Sequence, residues 1–462
     1  MTEGNSSKKL MAFALPVLAG AAFSQLAGLV ESLLISRFAG VGAFSAMASA
    51  VPAMLLMTGF LFGMCSGFMI PAVQLAGAGD EMRFCALTTG ATALCATLCT
   101  LFSCAGFVFA PALLTLCRTP SDTFVPALRY MRVNLVAGMP AAMAFMLPCA
   151  LMRAKGFSAM ALRFQVLSFS LEILLTRILV APMGLPGAAL ASALASLSSA
   201  IPAWIALLRS MQERRARFAP PGRALLLRLV GCGLPVGLQS IVAALGAMAF
   251  QSAVNALGSA DVAGISAAER ALCFASVPTS ALGAAIEVYA GQNLGAGRYD
   301  RIHMGMRNAG NMLFVWYGIS LGFLMLLGRR FAGLFLGGQS SALLTRYLFI
   351  NAAFIPLFMG SSMLRNALQG LGKPGLSAAS IALESLVRLT MVSVPLWQPS
   401  TGICFASPAA WLSSFIVAGI LYRRQMRLLQ RRAPKSGAFR RILPARSSFR
   451  FQKSQPPVER EV

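Results

Sequence analysis

Charge and histidine are what this sequence has least of. Only 11% of its 462 residues are charged, against roughly 25% in soluble globular domains, so water is not the main solvent for this chain. Its single histidine, His303, lies at the edge of an apolar run. Zinc chemistry and Ser-His-Asp catalysis therefore lack their raw material, no metal site is expected, and an enzyme is not expected. The 10 cysteines are scattered through apolar stretches. Cys95 and Cys99 stand one helical turn apart with no partner histidine, which fits packing better than ligation.

What is present is apolar length: 57% of the residues are hydrophobic and the mean hydropathy is +0.72. Crossing a bilayer takes about 20 mostly apolar residues per helix. Apolar runs fall at 10–37, 45–75, 83–112, 124–148, 158–181, 186–209, 226–257, 262–291, 303–327, 341–368, 375–397 and 402–423. Backbone groups in lipid must be satisfied internally, so the pattern predicts an all-α membrane protein of about 12 transmembrane helices. Short alternating strands, the mark of an outer-membrane barrel, are not seen. The opening MTEGNSSKK precedes no short apolar core with a small-residue cleavage site, so the first helix is expected to be retained.

Bases outnumber acids 39 to 14, a formal charge of +25. In a soluble protein that would suggest nucleic acid. Here the bases gather at run ends: Lys8 and Lys9; Arg209, Arg214, Arg215, Arg217, Arg223 and Arg228; and Arg423 through Arg441. That is the positive-inside pattern, which predicts both termini on the cytoplasmic side of a bacterial inner (plasma) membrane. Membrane lipid, not nucleic acid, is the expected partner of this surface. The basic segment 424–462 contains Pro434, Pro444, Pro456 and Pro457, and is expected to be disordered and loosely held to anionic lipid.

The polar, basic stretch 210–225 divides the runs six and six. The expected division is an amino-terminal bundle at 1–209, a cytoplasmic linker at 210–225, a carboxy-terminal bundle at 226–423 and a tail at 424–462. Internal repetition supports two homologous halves. Gln74 to Arg83 and Gln292 to Arg301 both read Q-x-x-G-A-G-x-x-x-R. Near the same offset, Leu15-Pro16-Val17 matches Leu234-Pro235-Val236, Arg129-Tyr130 matches Arg346-Tyr347, Ala150-Leu151 matches Ala367-Leu368, and Leu171-Glu172 matches Leu383-Glu384. Six helices per half makes these parallel repeats about an axis along the membrane normal, an arrangement common in secondary transporters.

A charge within the bilayer costs about 2.5–3.5 kcal/mol on insertion scales, so acids inside apolar runs are functional candidates. They are Glu31, Glu172, Glu269, Glu287 and Glu384. Glu31 lies six residues before Arg37, roughly 9 Å from the outer end of the first helix at 1.5 Å per residue, and Glu172 sits at similar depth. Two carboxylates in one low-dielectric cavity cannot both ionise cheaply, which suits a proton-accepting site. The alternative is that each forms a structural ion pair, for instance with Arg177. Glu384 has Arg388 one turn on, which favours a structural role. Glu269 is adjacent to Arg270, and Glu287 falls near a helix end, where hydration would suffice. Pro16, Pro52, Pro140, Pro148, Pro235, Pro278 and Pro356 permit bends that alternating access could use, or that only serve packing. The 25 methionines would suit an adaptable pocket, though methionine is also ordinary membrane filler.

At these landmarks the chain resembles the multidrug and toxic compound extrusion family over about residues 8–425. The carriers are Pro16 through Leu29-Val30-Glu31 to Gly40, the two Q-x-x-G-A-G loops, Leu171-Glu172 with Gly187-Ala188-Ala189, and Ala367 to Lys373. The resemblance implies two pseudo-symmetric six-helix lobes around a central cavity. It implies export of mostly cationic drugs or other organic small molecules in exchange for H+ or Na+, without any other cofactor; a monomer is expected. It assigns Glu31 and Glu172 to ion coupling. Both are Glu where the family usually has Asp, and Ser168 stands where an Asn often precedes the second acid by four residues. Glu384 and Ser168 are thus further ion-coupling or structural candidates. Ala243 replaces a carboxylate that one branch carries after the helix-seven proline. A lipid-linked oligosaccharide flippase or a major-facilitator carrier remain alternatives; for the latter, Gly297 to Arg301 lacks one required glycine, with Ala296 in its place.

Overall fold

Asn5 starts the first helix: its side-chain oxygen accepts the backbone N–H of Ser7 (2.9 Å) and Lys8 (3.3 Å), satisfying donors that have no intrahelical partner. The computed structural model describes residues 1–116, 119, 121–212, 220–257, 259–335, 342–393 and 399–432. The first half of the chain contains α1 (Ser6–Ala39), α2 (Val41–Ala78), α3 (Glu81–Leu116), α4 (Ser121–Val133), a π-helical turn (Asn134–Gly138), α5 (Met139–Lys155), α6 (Ser158–Met183) and α7 (Leu185–Gln212). The second contains α8 (Arg223–Asn255), α9 (Ser259–Gly295), α10 (Tyr299–Phe335), α11 (Ala342–Gly370), α12 (Pro374–Ser393) and α13 (Pro399–Arg432).

Among the described residues 11 helical spans are long and apolar enough to cross a membrane, or 12 with the bent α9. The chain is a multi-pass, all-α membrane protein. The run expected at 124–148 is one span, Thr123–Lys155, with the π-helical turn inside it. There Met139 N–H bonds back five residues to Asn134 O, just before Pro140, which has no N–H to offer. Helix α9 bends by 41° between Gly264–Cys273 and Ser276–Gly295, in the turn before Pro278, whose ring crowds the carbonyl four residues back. Helix α13 continues to Arg432, so residues 424–432 of the expected disordered tail are helical. Met426 anchors this extension, buried with Ala290, Ile302 and Leu371. The rest of that tail, 433–462, and positions 213–219 of the expected linker lie outside the described residues.

Packing repeats between the halves. Helix α1 packs on α6 as α8 packs on α12; α6 packs on α7 as α12 packs on α13; α5 packs on α7 as α11 packs on α13. Across the halves, α2 lies against α8, α1 against α9, and α2 against α9 near the pseudo-axis. The α2–α8 contact is built on glycine. A Cβ on Gly67 would lie 2.6 Å from Cys232 O, one on Gly63 2.7 Å from Val236 O, and one on Gly233 2.7 Å from the Phe68 ring. Two G-x-x-x-G faces, Gly63/Gly67 and Gly233/Gly237, thus bring two backbones together where lipid gives no hydrophobic push.

The two Q-x-x-G-A-G segments end α2 and α9 in the same way. Gly79 (φ 69°) and Gly297 (φ 73°) are left-handed; Asp80 N–H returns to Leu75 O and Arg298 N–H to Asn293 O, closing each helix without strain because glycine has no Cβ. They also meet reciprocally. Gln74 Nε2 donates to Gly370 O at the end of α11 (3.0 Å), and Gln292 Nε2 donates to Ala154 O at the end of α5 (2.6 Å). A Cβ on Gly77 would lie 2.0 Å from Gln292 O, and one on Gly295 2.0 Å from Gln74 O. The amino-terminal segment reinforces this end: the Met1 amine donates to Gln292 Oε1 (3.0 Å) and Arg301 to Gly4 O (2.9 Å).

Candidate functional site

Glu31 of α1 and Glu172 of α6 come together because those helices pack along their length. Both are half-buried. Glu172 acts electrostatically on Glu31, and both act on Tyr130 of α4. Ser192 of α7 donates a hydrogen bond to Glu172. Four helices of the first half therefore converge on one pair of carboxylates. Among the described residues neither acid has an ion-pair partner within 4 Å. The alternative partner, Arg177, instead lies over the Phe38 ring, 4.2 Å from its centroid, a cation–π contact. Ser168, one turn before Glu172, is buried, and among the described residues no hydrogen bond joins it to either acid. Tyr130 entered the sequence reading only as part of a repeat and Ser192 not at all. Neither carries a charge, and only the fold brings them to the acids.

Glu384 is different. Arg388 approaches it at 3.3 Å on the same helix, and Arg365 of α11 at 2.5 Å. Arg365 also donates to Ser414 of α13 (2.6 Å), whose hydroxyl meets Ser380 of α12 at 2.9 Å. This is a buried network that ties α11, α12 and α13 together. Arg365 is a base inside the apolar run 341–368, and its charge is the signal of it in the sequence. Glu269 accepts a hydrogen bond from Tyr347 (3.2 Å). Glu287, expected to be hydrated near a helix end, is in fact only 6% exposed. The end of α9 where it lies is covered by α11 and α2, so closeness to a helix end does not bring water.

Glu287 lines a cavity of about 390 Å³ between the halves, walled by α2, α8, α9, α11 and α12. Arg365, Gln239, Asn366 and Gln369 share its lining. A second cavity, of about 340 Å³, lies where α1, α4 and the α6–α7 turn meet, beside Arg129. Among the described residues no group of three or more His, Cys, Asp or Glu is placed to hold a metal ion.

The MatE family model matches residues 16–178 and 235–393, one copy in each half. The chain belongs to the MatE family. Placed on that repeat, Glu31 and Glu172 fall in the first MatE copy, and Glu287 and Glu384 in the second. Two Bacillus subtilis (strain 168) proteins are similar to this MatE chain. "Probable multidrug resistance protein YpnP" is 28% identical over 309 residues, covering 65% of this chain and 68% of that protein. "Probable multidrug resistance protein YoeA" is 24% identical over 371 residues, covering 78% and 80%. Among solved structures, a MATE protein in the bent conformation superposes with a TM-score of 0.82 at 18% identity, covering 93% of this chain and 97% of that one. An outward-facing multidrug resistance MATE transporter of the MOP superfamily gives 0.81 at 19% identity, covering 93% and 97%. The MatE fold is shared throughout the membrane-spanning body.

Proposed function

We propose that this chain is a secondary active antiporter that exports drugs or other organic compounds, mostly cations, in exchange for H+ or Na+. In this reading it is a monomer that needs no cofactor beyond the coupling ion and works in a bacterial inner membrane with both termini cytoplasmic. The multidrug resistance names of the two Bacillus relatives support export. The observation that carries coupling is the pair Glu31 and Glu172, two carboxylates from different helices, without an ion-pair partner among the described residues, both acting on Tyr130, with Ser192 bonded to Glu172. Mutual repulsion in a low-dielectric setting favours holding one proton or ion between them. Binding it removes charge from the first half, lets α1 and α6 repack, and shifts the balance between substrate-binding and substrate-releasing states. The deciding experiment is flux of a fluorescent organic cation into proteoliposomes under imposed proton or sodium gradients. Gradient-dependent transport is expected; transport indifferent to both gradients would end the antiport reading.

A further inference from the structure

We propose that residues 1–6 form a latch, which holds the halves together at the end carrying Met1 and must release Arg298 and Arg301 before they part there. The proposal rests on the antiport reading only for the use made of that opening. The two Q-x-x-G-A-G-x-x-x-R copies differ at one position that matters here. The first has Asp80 directly after its last glycine. That carboxylate pairs with Arg83 of the same copy at 3.5 Å and accepts its backbone N–H at 3.0 Å. The second copy has Arg298 at the matching position. Two guanidinium groups, Arg298 and Arg301, therefore stand where the first copy holds an ion pair.

The amino-terminal segment supplies the acceptors that the second copy lacks. Arg298 Nη1 donates to Thr2 O (2.5 Å), and its Nη2 lies 3.4 Å from Glu3 Oε1. Arg301 Nη2 donates to Gly4 O (2.9 Å) and to Met1 O (3.4 Å). Asn308, further along α10, donates to Ser6 Oγ (2.6 Å), and Ser6 is only 2% exposed. Each of these bonds runs from the second half to the chain just ahead of α1, the opening helix of the first half. Asn5 fixes that chain to α1 by capping it, and α1 packs on α9 and α10. Parting α1 from those helices at this end therefore has to break the bonds to Arg298 and Arg301. Hydrogen bonds from a guanidinium are charge-assisted and stronger than neutral ones. Their acceptors are mostly backbone carbonyls of a surface segment, which can let go without uncovering apolar core.

The test is maleimide labelling of the purified full chain in detergent, read cysteine by cysteine by mass spectrometry. Deleting Thr2 through Gly4 removes the acceptors and leaves Asn5 to cap α1. Cys232, buried between α2 and α8, reports parting of the halves; Cys149, buried in α5, reports loosening within the first half. The deletion is expected to speed Cys232 labelling by about fivefold or more, the equilibrium worth of one net hydrogen bond, and to leave Cys149 unchanged. An unchanged Cys232 rate, or equal acceleration of both cysteines, overturns the latch. Glu3→Ala should stay within about twofold, because an ion pair so exposed holds little; the full effect from Glu3→Ala alone would overturn the role given to the carbonyls. If the deletion gives no folded protein, Arg298→Ala serves instead, with selective acceleration of Cys232 expected and an unchanged rate sinking the proposal. Labelling needs neither gradient nor substrate. Its failure would overturn the latch and leave antiport standing, and flux indifferent to both gradients would do the reverse.

Discussion

Two kinds of acid occupy the membrane-spanning helices, and substitution should separate them. Glu31 and Glu172 sit without counter-ions among the described residues, whereas Glu384 is held between Arg365 and Arg388. Glu31→Gln and Glu172→Gln keep shape and remove the titrating charge, so each should insert and fold normally while gradient-driven export falls by about a hundredfold, the double variant being little worse because the pair acts as a unit. Full-rate export in both single variants, measured in proteoliposomes, would show that coupling lies elsewhere. Glu384→Gln strands two guanidinium groups in a site where the side chains are 10–19% exposed. Removing one partner from such a network costs about 3–5 kcal/mol. Thermal unfolding in detergent should therefore show a clear loss of stability, and an unaltered melting point would mean the network is not structural.

At the scale of elements, the decisive contact is between two helix faces stripped of side chains. Gly67→Ala would place a Cβ 2.6 Å from Cys232 O, against backbone that cannot rotate away. Forced overpacking of this kind typically costs about 1–3 kcal/mol, so melting should come at lower temperature. Gly59→Ala on the same helix has nothing within 4 Å of the new methyl and should be neutral or slightly stabilising, since alanine is the better helix former. Equal effects of the two substitutions would show that helix propensity, not the α2–α8 contact, dominates. The bend in α9 and the π-helical turn before Pro140 belong to the same scale: each follows from a proline that cannot complete the hydrogen-bond ladder.

For the whole molecule, the reciprocal Gln74–Gly370 and Gln292–Ala154 bonds hold the halves together at the end that carries Met1. In the proposed antiport cycle this end has to part. Replacing both glutamines by alanine removes the two bonds and should shift the population toward the parted state by about tenfold, roughly 1.4 kcal/mol. Cys232, buried between α2 and α8, is a native reporter: its maleimide labelling should speed up in that variant, and an unchanged rate would show that the glutamines do not hold the closure. Orientation has its own check. Gly222→Cys, at the start of α8, should label in intact cells only after permeabilisation; labelling from outside would invert the assigned topology.

Composition and hydrophobic length determined the membrane bundle, because backbone in lipid must satisfy itself within each segment. The repeated Q-x-x-G-A-G marked where the halves correspond, since the left-handed glycine that ends each helix is a local requirement legible in the chain. The acids at 31 and 172 were legible for a similar reason: charge in an apolar run is conspicuous wherever it points. Tertiary structure alone decided what each charge meets. Arg365, 19 residues from Glu384, reaches it only because α11 and α12 pack side by side. Arg177 is drawn to Phe38 rather than to an acid, and Glu287 is buried by helices far away in sequence. Pairing energies in low dielectric depend on distances of a few ångströms, and those distances are set by helix packing, not by spacing along the chain.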